Sequence, residues 1–313
     1  MERIVCVVGP TASGKTRLAV ELALALDGEV LSCDSMQIYR GLSIGAATPT
    51  AAEMRGVPHH MLCVADPAED YSVSAFAAAA DPILRDILRR GKTAILCGGT
   101  GLYVDSLMAG RSFAPGPSAG RREALERMAD EQGIEAVLAY LATFDPESAA
   151  RLHPGNRRRI LRAVEIYLDT GETITAHDRR TRSQPPRYQG VWLGLDFAER
   201  ADLYRRIDRR VDQMLADGLV EEVRTLLASG IPRTATCLQA IGYKELIAYL
   251  DGTETLDQAR EAIARGTRRY AKRQRTWFRR NPAVHWILQN EPPDFSAVLS
   301  EARRVLAQFD TPL

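Results

Sequence analysis

Gly9-Pro10-Thr11-Ala12-Ser13-Gly14-Lys15-Thr16 fits G-x-x-x-x-G-K-[ST] in full. The apolar run at 3–8 before it reads as a short buried strand, and the stretch from Lys15 to Leu26 reads as a helix. Strand, glycine-rich turn and helix start together make a phosphate site. The glycines let backbone N–H groups turn toward one point, and the helix N-terminus adds positive potential there. Lys15 brings a mobile charge to phosphate oxygens, and Thr16 offers a hydroxyl to Mg²⁺. The pattern names neither the ester that binds nor the reaction that follows.

Further along, 29–33 and 93–97 repeat the strand pattern, and 72–90 reads as a helix that Pro82 should kink or interrupt. Strands alternating with helices predict an α/β fold, a parallel sheet flanked by helices like that of the P-loop NTPases. Pro- and Gly-rich breaks at 111–118 and 181–187 bracket helical patterns without a convincing strand. The reading is a catalytic core of 1–114 and 187–313 with an inserted all-helical subdomain at 115–186. Strand character returns at 191–196 and 284–288, helices cover 199–229 and 255–280, and a last helix closes the chain.

The chain has 313 residues, 45% hydrophobic and 26% charged, an ordinary globular balance. No apolar run approaches the ~20 residues of a membrane span. The N-terminus does not read as a signal peptide, so a cytoplasmic protein is expected. The net charge of +1 combines −3 over 1–110 with +4 over 111–313. Cysteines at 6, 33, 63, 97 and 237 have no zinc-ligand spacing and read as reduced thiols.

Two segments leave strand ends that should face the ligand crevice. Asp34, in Ser32-Cys33-Asp34-Ser35-Met36-Gln37, could be a metal ligand, a helix cap or a general base. In Gly98-Gly99-Thr100-Gly101, glycines allow close backbone approach, and Thr100 offers a hydroxyl or a cap. Residues 265–280 hold eight basic residues and no acid, with Tyr270, Trp277 and Phe278 interleaved, the footprint of a nucleic-acid contact. Arg157-Arg158-Arg159 and Arg162 form a second basic cluster.

GPTASGKT, Asp34–Gly41, Pro58-His59-His60, GGTGLY, Arg151-Leu152-His153-Pro154, Arg157–Glu165, Gln239-Ala240-Ile241-Gly242-Tyr243-Lys244 and Ala271–Trp277 occur in that order. Together they resemble the tRNA dimethylallyltransferases, also called tRNA isopentenyltransferases, in their bacterial form. The resemblance covers nearly the whole chain.

It implies transfer of a dimethylallyl group from dimethylallyl diphosphate to N6 of the adenosine 3′ of the anticodon. The tRNAs would be those that read codons beginning with U. Residues 9–16 would hold the diphosphate with Mg²⁺ on Thr16, Asp34 would be the general base, and Thr100 and Arg210 would act beside them. Asp34, Ser35, Met36, Gln37 and Thr100 would also meet the anticodon stem-loop. So would Arg122, Arg158, Arg159, Ile160, Leu161 and Arg162, then 239–244, and Lys272, Arg273, Arg275, Trp277 and Arg279. Neither DNA nor a membrane is implied, and the family suggests a monomer. Many members read Thr-Ala-Lys-Pro after the Ile-Gly pair, where this chain has Ala46-Ala47-Thr48-Pro49. The competing reading, from the phosphate loop alone, is a nucleotide or small-molecule kinase.

Overall fold

A computed structural model describes residues 4–111, 113 and 120–310. Most of the break at 111–118, and the expected boundary at 114/115, lie outside the described residues. Two compact units emerge: one takes in residues up to Met108 and from Tyr188 onward, the other Ala109–Arg187.

The first unit begins β1 (Ile4–Val8), α1 (Lys15–Ala25), β2 (Gly28–Ser32), α2 (Ala51–Met54), β3 (His59–His60), α3 (Val73–Arg89), β4 (Thr93–Gly98) and α4 (Gly101–Ala109). The helical unit holds α5 (Arg121–Gln132), α6 (Ile134–Ala142), α7 (Pro146–Arg151), α8 (Arg157–Thr170) and α9 (Ile174–Ser183). The first unit resumes with β5 (Val191–Phe197), α10 (Arg200–Ala216), α11 (Leu219–Ala228), a 3₁₀ turn at Thr236–Gln239 and α12 (Tyr243–Leu250). It ends with α13 (Leu256–Phe278), β6 (Val284–Gln289) and α14 (Phe295–Asp310).

The strands form one sheet in the order β3-β2-β4-β1-β5-β6, with every pairing parallel. Strand periodicity divides its side chains between two cores. Ile4, Cys6 and Val8 join Leu96 on one face, against Phe76, Leu84 and Ile87 of α3 and Tyr103 of α4. Val5 and Val7 join Ile95 and Leu193 on the other, against Leu18 and Leu22 of α1 and Ala302 and Val305 of α14. The helical unit has its own core of Leu125, Val137, Leu141, Ile160, Leu161 and Val164.

Three details differ from the sequence expectations. The helix containing Pro82 runs unbroken from Val73 to Arg89. Pro82 and Ala78 are both exposed, so water can reach the carbonyl that the missing N–H leaves behind. The helical stretch 199–229 is two helices, broken at Gly218 where φ is 100°. The short strand β3 was not anticipated; His60 on it bonds to buried Glu29 at 2.8 Å. Among the described residues no helix is long and apolar enough to cross a membrane.

An ion pair fastens α13 to the sheet. Asp196, fully buried near the end of β5, accepts from Arg275 Nε at 2.6 Å and from the Phe197 N–H at 2.8 Å. Breaking one side of such a pair leaves a charge without compensation. Asp196→Asn is expected to cost about 3 kcal/mol of stability, read as a lower urea midpoint. An unchanged midpoint would contradict the anchoring role.

Candidate active site

The phosphate loop joins β1 to α1. Gly9 has φ 138° and Gly14 φ 89°, a region that glycine enters freely, while Ala12 takes φ 64°. A Cβ on Gly9 would run into the Leu195 carbonyl of β5. The Lys15 ammonium donates to the Pro10 carbonyl at 2.7 Å. Ser13 is buried, and its carbonyl accepts from Gln289 Nε2 at 2.9 Å. Thr11, Ala12, Gly14, Lys15 and Thr16 border a cavity of about 520 Å³. Gly9, Pro10 and Ser13 do not, and they shape the loop behind it.

The turn after β2 faces the same space. Asp34 Oδ1 accepts the Met36 N–H at 2.9 Å, so the carboxylate does cap its own turn. Only Oδ1 takes part in that cap, and Asp34 also borders the cavity. Thr100 accepts the Ser35 N–H at 3.1 Å and donates to Ser35 Oγ at 3.3 Å. These bonds brace the Asp34 turn, and Thr100 also hydrogen-bonds to Tyr270, which borders the same cavity. The glycines beside it permit close contact. A Cβ on Gly98 would strike the Cys33 backbone, on Gly99 the Gln274 amide, and on Gly101 the Trp277 ring.

α10 and α13 complete the walls. Arg210 borders the cavity with Arg206 and Arg209. Arg206 Nε donates to the Ala12 carbonyl at 3.1 Å, and Arg209 pairs with Glu291. Spacing on one helical face, 206–209–210, is the signal that could have singled out Arg206. Arg205 instead pairs with Asp202 of its own helix. Gln274, 4% exposed, was missed because a glutamine in a basic run carries no signal. Its Oε1 accepts the Thr11 N–H at 2.8 Å, and its Nε2 donates to Gly99 O at 3.1 Å. One amide thus ties the phosphate loop to the Gly98–Gly101 segment.

A second cavity of about 270 Å³ adjoins the first. Thr11, Asp34, Ala46, Arg210 and Tyr270 border both. The first is dominated by phosphate-loop atoms and arginines. The second is lined by Met36, Ile207, Val211, Met214 and Ile241, with Ser35, Gln239 and Arg273 at its polar positions. A charged group and a flat, less polar one could meet at Asp34.

Comparison with known proteins identifies the family. The sequence profile of IPP transferases matches residues 37–281. The chain belongs to the IPP transferase family. A tRNA dimethylallyltransferase of Geobacillus thermodenitrificans is 47% identical over 98% of this chain and 96% of its own length. The crystal structure of a tRNA isopentenylpyrophosphate transferase from Bacillus halodurans superposes with a TM-score of 0.74 at 43% identity, covering 98% of this chain and 96% of that one. A eukaryotic dimethylallyltransferase acting on tRNA superposes with a TM-score of 0.82 at 27% identity, covering 97% of this chain and 78% of that one. Family membership sets the kinase reading aside.

In this IPP transferase the residues expected to meet RNA divide by exposure. Arg269, Lys272 and Arg273 are exposed on α13, and none makes an ion pair with a described residue. Arg279 is exposed, 3.8 Å from Asp196. Arg275 is committed to Asp196, and Trp277 donates to Asp105 at 2.8 Å, so both brace α13. In the helical unit Arg158 and Arg159 are exposed, whereas Arg122 and Arg162 pair with buried Glu165 at 2.9 and 3.4 Å. Ile160 and Leu161 belong to that unit's core, which corrects their assignment as RNA-touching side chains. Tyr243 is fully buried but borders the second cavity, while Gln239 and Lys244 are exposed. Ala240 and Ile241 are half-buried, and Gly242 is buried at the start of α12.

Burial pushes the Lys15 ammonium down from 10.5 to about 8, with nearby Arg210 adding to the shift. A bound anion favours the charged form, so binding at pH 8 should take up a proton. Affinity for an organic diphosphate monoester is expected to fall as pH rises through 8 to 9.5. Titration calorimetry in two buffers of different ionisation enthalpy checks this. Flat affinity with no proton uptake would contradict a buried, easily neutralised lysine.

Proposed function

We propose that this chain transfers a dimethylallyl group from dimethylallyl diphosphate to N6 of the adenosine 3′-adjacent to the anticodon, in tRNAs reading codons that begin with U. The observation that carries the reading is the wall shared by two cavities, where Asp34 and Arg210 stand between the phosphate loop and a less polar chamber. Close similarity to tRNA dimethylallyltransferases along nearly the whole chain supports it. On the same resemblance we assign the enzyme to the cytoplasm as a monomer.

The diphosphate lies against the N–H groups of 12–16 and Lys15. The allylic C1–O bond breaks, and its electron pair leaves with the diphosphate. Backbone dipoles, Lys15 and Arg210 stabilise that charge in a partly desolvated site. The N6 nitrogen bonds to C1 from the second cavity. Its lone pair is delocalised into the purine, so removing a proton as the bond forms assists attack. Asp34 takes that proton at Oδ2, because Oδ1 holds the Met36 N–H. No phosphoryl group moves.

Mg²⁺ keeps mainly phosphate and water ligands and needs few from protein. The Thr16 hydroxyl at the cavity wall suits that requirement. Among the described residues no group of three or more His, Cys, Asp or Glu could hold a metal alone. With the diphosphate bound, Mg²⁺ on Thr16 would supply further neutralisation of the leaving group.

The acceptor must leave its stack to reach Asp34. Single-stranded loop bases permit this, and the exposed cations of α13, with Arg158 and Arg159 of the helical unit, supply phosphate contacts.

Asp34→Asn keeps the cap acceptor and loses the base. Its kcat is expected to fall by about 10²–10⁴-fold, with stem-loop affinity within about twofold of wild type. An affinity loss as large as the rate loss would make Asp34 a structural cap. Replacing Arg269 and Lys272 with alanine should weaken stem-loop binding and reduce the salt slope by about 0.7–0.9 per charge. An unchanged slope would take α13 off the RNA.

A further inference from the structure

The loop 43–47 walls the reaction space without bringing a charged side chain to it. Ala46 and Ala47 border the first cavity, and Gly45 and Ala46 the second. Thr48 turns back on the loop and donates to Leu42 O at 3.0 Å. What the loop contributes is therefore its position.

That position is set from two sides. Gln37 Nε2 donates to Ala46 O at 3.3 Å and Ala47 O at 3.0 Å. From the other side comes Glu222 of α11. Its Oε2 accepts the N–H groups of Ser43 at 2.9 Å and Ile44 at 2.8 Å. Its Oε1 accepts the Gly45 N–H at 3.0 Å and the Tyr243 hydroxyl at 2.6 Å. Four donors converge on one side chain, and only an acceptor-only carboxylate satisfies them all. The Tyr243 ring presses on the same loop: a Cβ on Gly45 would lie 2.5 Å from a ring carbon. Tyr243 in turn opens α12 and, like Gln239–Gly242 before it, borders the second cavity.

We propose that Glu222 is a positioning residue for transfer: its carboxylate fixes the 43–47 wall and, through Tyr243, locks that wall to the 239–244 segment. The inference rests on the transfer reaction proposed above. Glu222 does not border either cavity, so it acts through the loop and Tyr243. A misplaced wall alters how donor and base meet while leaving the cations that hold RNA in place.

Glu222→Gln replaces one acceptor with an amide donor that faces N–H groups or the phenol. Measured with labelled donor and an anticodon stem-loop, its kcat should fall about 10- to 100-fold. Stem-loop Kd and diphosphate Kd should stay within about twofold of wild type, because the split isolates the transition state. Tyr243→Phe removes one of the four bonds and keeps the ring on Gly45. It should lose kcat about three- to tenfold, again without a change in Kd. It decides the matter if Glu222→Gln does not fold. Unchanged kcat in a folded Glu222→Gln variant, or in Tyr243→Phe when the glutamine variant is unfolded, overturns the proposal. A loss confined to stem-loop Kd also overturns it, placing Glu222 on the RNA surface. A wild-type protein that labels no stem-loop removes the transfer reading itself, a failure distinct from an active wild type with active variants.

Discussion

Parallel pairing of β4 between β1 and β2 is the constraint on which the site depends. Parallel strands all end at the same edge, so the loops after Val8, Ser32 and Gly98 leave the sheet side by side. These are the phosphate loop, the Asp34 turn and the Gly98–Gly101 segment. Their closeness demands small residues, and Gly9 and Gly98 stand where a Cβ would meet a neighbouring backbone. Polar cross-links then fix the three loops: Thr100 to Ser35, and Gln274 from α13 to both Thr11 and Gly99.

Electrostatics give that edge its chemistry. Lys15 and Arg210 stand half-buried beside Asp34, and loss of solvation weakens the hold of both cations on their protons. A bound diphosphate would add to the counter-charge of Asp34. Interactions of this kind are stronger in a desolvated cavity than in water, which favours a leaving group that gains charge as its bond breaks. Cys97 borders the same cavity but is no rival nucleophile, since burial lifts its thiol to about 11.

Much of this was legible in the chain. The phosphate loop announces itself by local spacing, and strand and helix periods place its flanks within a residue or two. Asp34 was found by its position after a strand, yet both the cap and the cavity-facing readings turned out to describe it. Residues that act across the fold were not legible. Gln274 meets Thr11 across 263 positions, and Glu222 meets Gly45 across 177. Nothing local marks a glutamine or glutamate as one half of such a bond. Motif membership also misled at Ile160 and Leu161, which pack in the helical unit's core. A segment that faces RNA must also pack inward, and a helix or turn gives alternate side chains to each task.

The proposed transfer brings an allylic diphosphate at the phosphate loop to a tRNA adenine at Asp34. Its most direct test is incubation of the purified chain with Mg²⁺, labelled dimethylallyl diphosphate, and either an anticodon stem-loop with adenosine 3′ of the anticodon or free AMP. Label is expected on the stem-loop, at N6 of that adenosine, and none on AMP. Label on AMP alone, or on neither acceptor, would contradict it.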